Sequence, residues 1–306
     1  MATQLMHEGD QFSVPSLPAL IDKRLNWQGW LSGLLSLAFV CTIIWKIRDF
    51  GFAQSLKTLP TSLTFWLAFA GYYLALPSSE WLIFRRLWKI PFAGFVALLR
   101  KMVSNEVLLG YSGEVYFYTW ARARAQLTTA PFGAIKDVSI LSALAGNLIT
   151  LLMMVLAWPL VGTVAPQFHA KAVLLSAAAM LGVSMLVLLF RSRVFSLPNV
   201  QLRGIFAIHI ARLVVTTILS GVMWHAALPD VSLAWLILLA TLQLLVTRLP
   251  FVPNKELVFA SLAIFLIGND GTVATLIAVI ASCILATHLL LGAILTCGEL
   301  VKVAKG

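Results

Sequence analysis

Charge is what this chain has least of: only 11% of its 306 residues are Asp, Glu, Lys or Arg, against the quarter or so usual in soluble domains. That scarcity excludes an ordinary water-facing globule. Cysteine is nearly absent too, and Cys41, Cys283 and Cys297 lie within or at the ends of apolar stretches with neither paired spacing nor histidines beside them. A disulfide framework and a zinc centre are therefore both unexpected, and no metal or other cofactor is implied. The chain also lacks a glycine-rich nucleotide cradle and a serine–histidine arrangement, which leaves no catalytic residue to nominate. Residues 1–26 carry Glu8, Asp10, Asp22, Lys23 and Arg24 without an apolar core and small-residue cleavage site, so no secretory signal is read there.

What fills the chain instead is apolar sequence, 60% of residues, with a mean hydropathy of +0.93. Clean runs occupy about 27–45, 61–84, 138–160, 171–190, 204–227, 231–247, 256–268 and 272–297. Most approach the roughly 20 residues that a helix needs to cross a bilayer. The expected fold is an all-α polytopic membrane protein of about eight transmembrane or re-entrant segments. A membrane domain over 27–298 would lie between a cytoplasmic segment, 1–26, and a cytoplasmic tail, 299–306.

Lys and Arg set the expected orientation. With the N-terminus inside, cytoplasmic flanks collect Lys23, Arg24, the Arg85–Lys89 cluster, Arg100, Lys101, Arg122, Arg124, Arg191, Arg193, Arg203, Lys302 and Lys305, whereas the outer flanks hold Lys46, Arg48, Lys57 and Lys171. That asymmetry places both termini in the cytoplasm and the chain in the inner, cytoplasmic membrane. The same rule accounts for most of the net charge of +10. Nothing supports nucleic-acid binding, since no soluble basic fold remains.

Two places break the apolar pattern with an acid beside turn-forming residues: Leu108-Leu109-Gly110-Tyr111-Ser112-Gly113-Glu114 and Leu249-Pro250-Phe251-Val252-Pro253-Asn254-Lys255-Glu256. An ionisable group or an unwound backbone at membrane depth survives only inside protein or against a wet cavity. The region 91–131 reads as a re-entrant hairpin turning at Gly110 and Gly113, and the short segment after Pro250 as a half-helix. The breaks also echo each other, Glu114-Val115-Tyr116-Phe117 against Glu256-Leu257-Val258-Phe259, as an internal repeat around one polar site would.

Asn105 to Glu114, followed by Arg122, resembles the glycine–glutamate motif of the flippase-like transmembrane region of the lysylphosphatidylglycerol synthase family. Pro250, Pro253, Asn254, Lys255 and Glu256 resemble that region's second, proline-rich turn. The similarity spans roughly 30–297. Gly110 stands where the family usually carries proline, and Lys255 replaces a glycine. The resemblance implies a stand-alone membrane-domain relative with repeated architecture and lipid as its cargo.

The candidate site follows from these readings. Glu114 and Glu256 would shape an intramembrane cavity; Arg122, Arg124, Arg212, Arg248 and Lys255 would attract an anionic headgroup; and Asn105, Ser112, Gly113 and Asn254 would line it and supply hydrogen bonds. Arg212 sits inside an apolar helix, where it needs a carboxylate, a lipid phosphate or an escape to the interface. His209, His225 and His288 are isolated on apolar helices and read as hydrogen-bonded packing residues. The expected partner is a membrane lipid, either a phospholipid or a polyprenyl phosphate. The alternatives are a lipid-modifying transferase or phosphatase, and a non-transporting subunit that presents lipid to a separate enzyme or assembles with its own copies.

Overall fold

A computed structural model describes residues 59–108, 112–124, 131–164, 170–248, 255–267 and 271–305. Among these residues every regular element is a helix, as expected where backbone polar groups must be satisfied without water. In chain order they are α1 (Leu63–Trp88), α2 (Phe92–Val107), α3 (Ser112–Arg124), α4 (Phe132–Val164), α5 (Ala170–Leu189), α6 (Arg191–Val194), α7 (Asn199–Ala227), α8 (Leu233–Thr247), α9 (Lys255–Ile267) and α10 (Gly271–Lys305).

Three stretches are long and apolar enough to cross a membrane, Phe132–Leu160, Asn199–Ala227 and Val279–Cys297, so the chain is an all-α membrane protein. Seven of the eight apolar runs fall on α1, α4, α5, α7, α8, α9 and α10, while the run at 27–45 lies outside the described residues. Not every run forms a helix long enough to cross by itself. At 15 and 13 residues, α8 and α9 are about 22 and 20 Å long, short of a hydrocarbon core of about 30 Å.

The helices fall into two runs of four with matching lengths. α1 to α4 have 26, 16, 13 and 33 residues, and α7 to α10 have 29, 15, 13 and 35. In each run a break separates the two short helices and a glutamate follows it, Glu114 in the first turn of α3 and Glu256 in the first turn of α9. Packing between the runs is reciprocal: α1 lies on α7, α2 on α10 and α8 on α4. α5 and α6 connect them.

The first break is built by local chemistry. Asn105 near the end of α2 accepts the Gly113 N–H at 2.7 Å, and the Ser112 hydroxyl donates to the Ser104 carbonyl at 3.0 Å. α3 therefore starts directly against the last turns of α2. A Cβ on Gly113 would collide with the Lys101 carbonyl, which makes this a position for glycine. The corner before α2 has its own device: Lys89 adopts a left-handed conformation (φ 52°) and its N–H caps α1 at the Arg85 carbonyl, 2.9 Å away.

One apolar core joins Phe65, Phe69, Met102, Trp224, Phe259 and Ile280 from α1, α2, α7, α9 and α10. Small residues, Ala240, Ala260, Ala263 and Ala281, lie within it. Close approach matters more than burial here, since lipid tails are as apolar as the side chains. A second cluster seats α3, with Phe117 between Phe84 (ring centroids 4.8 Å apart) and Trp120 (5.8 Å). The connection into α7 is fastened by Asp137, fully buried, which accepts the N–H groups of Ser196 and Leu197 at 2.7 and 2.8 Å. Its neighbour Lys136 donates to the Val194 carbonyl. α5 exposes Leu174, Leu181, Met185 and Leu189 and is tied to α4 by Asn147 donating to Ser184 at 3.0 Å.

Candidate functional site

The reciprocal packing leaves a cavity of about 340 Å³ lined from both runs of helices. It is polar for a membrane interior, holding Glu80, Glu106, Glu114 and Glu256 with Lys101, Arg212, Arg248 and Lys255. Among the described residues four acids thus face four bases. With all eight ionised the cavity has no net charge.

The charges are arranged unevenly. Lys101, its side chain 5% exposed, gathers two acids, Glu80 at 2.6 Å and Glu114 at 3.4 Å. Two carboxylates on one ammonium compensate its desolvation, and removing that ammonium would leave two charges without a counterion. Glu256 has neutral partners. The Tyr72 hydroxyl donates to it at 2.7 Å, and the Gln243 amide lies 3.1 and 3.3 Å from its two oxygens and 3.0 Å from the Tyr72 hydroxyl. Among the described residues it forms no ion pair.

Arg212 enters from the middle of α7. One terminal nitrogen donates to Ser142 at 3.2 Å, while its buried Nε finds no partner among the described residues. No carboxylate lies within ion-pair distance of it among the described residues, which removes one of the partners its sequence position required. At the second break Arg248 donates to the Thr247 hydroxyl at 2.7 and 3.1 Å, and Lys255 donates to the Thr247 carbonyl at 3.0 Å. The Arg248 guanidinium lies against Gly146 of α4, where a Cβ would occupy its place.

Six of the sequence candidates meet here: Asn105, Glu114, Arg212, Arg248, Lys255 and Glu256 all line the cavity. Ser112 and Gly113 stand behind it in the hairpin, holding the start of α3. Arg122 does not join; it is exposed and outside the lining. Eight residues separate it from Glu114, about 12 Å along the helix axis, which carries it to the far end of α3. Asn254 and the Arg124 side chain lie outside the described residues.

Other groups were not singled out by sequence. Arg100 and Lys101, assigned to a cytoplasmic flank, are buried at 9% and 4% exposure, with Arg100 over the Tyr116 ring at 4.9 Å. Their signal was present in part, since Lys101 and Asn105 share one helical face and Glu80 is an acid inside an apolar run. Tyr72 and Gln243 gave none. His288 fits its packing role, hydrogen-bonded to Tyr73 at 2.8 Å, and also reaches the cavity. His225 is exposed, and His209 is fully buried against the Val138 backbone. The chain matches no family model, no curated protein and no solved structure.

Proposed function

We propose that this protein binds the phosphate-bearing headgroup of a membrane lipid in the central cavity and moves that lipid across the bilayer. The observation that carries this reading is Arg212: a guanidinium at the middle of an apolar helix, turned to the cavity, which among the described residues has a serine as its one hydrogen-bond partner and a buried Nε left over. A phosphate oxygen supplies the missing acceptor and the missing negative charge together. Arg248 and Lys255, at the break between α8 and α9, add attraction beside it.

The two runs of four helices support a transporter in particular. We read them as an internal repeat whose short helices, α2–α3 and α8–α9, are re-entrant pairs meeting at mid-membrane. With α4, α5 and α7 all crossing between them, the second pair enters from the side opposite the first. An inverted repeat of this kind lets one site open to each face in turn. The orientation proposed is both termini in the cytoplasm of an inner membrane, and the cargo a phospholipid or a polyprenyl phosphate, in the manner of the flippase-like region that the two motifs resemble.

Binding of phosphatidylglycerol and of phosphatidylcholine to the purified protein tests the reading, with movement of a fluorescent phosphatidylglycerol in reconstituted vesicles as the second readout. The wild type should prefer the anionic lipid. R212A should lose about ten-fold or more in affinity, the worth of one charge-assisted contact of roughly 1.5–3 kcal/mol. A wild type without that preference, or an R212A protein that binds and moves lipid normally, would refute it.

A further inference from the structure

The two glutamates that follow the breaks are held differently, and the difference points to a proton. Glu114 shares Lys101 with Glu80, so protonating either acid weakens the compensation of a buried ammonium. Glu256 touches a phenol and an amide, both neutral. A tyrosine hydroxyl can donate or accept, and a glutamine side chain carries both a donor and an acceptor. The trio Tyr72–Glu256–Gln243 can therefore stay hydrogen-bonded with the acid ionised or protonated, after no more than a turn of the amide.

The charge of the cavity depends on that choice. Among the described residues its four acids and four bases cancel when all are ionised, and one proton leaves them with a net charge of +1. An anionic headgroup is drawn to the second state more than to the first. We propose that Glu256 is a proton-binding site coupled to the cargo: the cavity takes an anionic headgroup together with one proton on Glu256, and is neutral both with the two bound and after both leave. This rests on the lipid-binding reading above and adds the ion that accompanies the lipid. A pH gradient could then drive the movement.

The other charged or titratable groups around the trio are identifiable. From α1 come Tyr72 and Tyr73, from α2 Lys101 and Glu106, and from α7 Arg212. Arg248 follows α8, Lys255 precedes Glu256 on α9, and His288 of α10 is hydrogen-bonded to Tyr73. Among the described residues Glu106 is the one other acid of the lining outside the Lys101 cluster, which makes it the control.

The test is phosphatidylglycerol binding by the full chain from about pH 5.5 to 8.5, a range over which this phosphodiester keeps its single charge, with phosphatidylcholine as reference. Wild-type affinity should fall with rising pH, by up to about ten-fold per unit where one proton is taken up. Binding at mid-range should withdraw about one proton from lightly buffered solution. E256Q should bind at high pH as the wild type does at low pH and lose the slope, whereas E106Q should keep it. Y72F, which removes one neutral donor and leaves the acid, should shift the pH of the fall without changing its steepness, and serves if E256Q does not fold. Anionic preference with no pH dependence or proton uptake would overturn the coupling while leaving lipid binding intact. A slope retained in E256Q or lost in E106Q would overturn the assignment to Glu256. No anionic preference at any pH would defeat the underlying lipid reading instead.

Discussion

Lys101 offers the sharpest test of how the site is held together. Its ammonium is 2.6 Å from Glu80 and 3.4 Å from Glu114, and the Lys101 and Glu80 side chains are only 5% and 9% exposed. Replacing it by Met keeps most of the volume and removes the charge, leaving two carboxylates facing each other in a site made for three charges. Removing one partner of a buried pair costs about 3–5 kcal/mol, and K101M should sit in that range because it strands two acids. The single acid variants should be milder. E80Q leaves Lys101 with Glu114 and a neutral amide in hydrogen-bond reach, so it should cost less than K101M, and E114Q less still, since the longer pair is lost and the shorter one remains. The triple variant K101M/E80Q/E114Q should recover most of the lost stability, because no uncompensated charge stays behind. Unfolding in mild detergent, by denaturant titration or thermal scan, measures the series. A K101M protein within about 0.5 kcal/mol of wild type, or a triple variant no better than K101M, would show that the cluster is hydrated and that the buried-charge argument fails.

Two other substitutions and one labelling experiment probe the frame around that cluster. G113A should destabilise the protein by about 1–3 kcal/mol, since its methyl group meets the backbone carbonyl of Lys101. G204A on α7, where a Cβ meets nothing, should be neutral or stabilising by up to about 1 kcal/mol. Equal effects of the two in a thermal scan would refute the packing of the hairpin. For orientation, single cysteines placed near Arg86 and Arg193 should resist a membrane-impermeant thiol reagent applied outside intact cells, and strong labelling at either would reverse the proposed topology.

Much of this organisation was legible in the amino-acid order because the bilayer imposes so simple a rule on it. Runs of apolar residues at 138–160, 204–227 and 272–297 could only be helices, and they are. The breaks ahead of α3 and after Thr247 were equally visible, since glycine, proline and an acid inside such sequence interrupt a helix wherever it lies, although Gly113 itself falls in the first turn of α3. Sequence also named Arg212, because a lone guanidinium in an apolar helix demands a partner in any fold.

Which partner it lacks was decided by tertiary structure. Lys101 and Arg122 look alike in sequence, each a cation beyond an apolar stretch. Yet α2 packs on α10 and turns Lys101 inward, while Arg122 lies at the exposed far end of α3. Glu80, Tyr72 and Gln243 reach the cavity from helices distant in sequence, Gln243 and Tyr72 meeting across 171 positions. Local pattern fixes where a helix starts, stops and admits a charge, because those depend on neighbours along the chain. Whether Glu114 and Glu256 face a lysine or a phenol depends on which helices pack together, a choice made by the shapes of whole faces and not by any one segment.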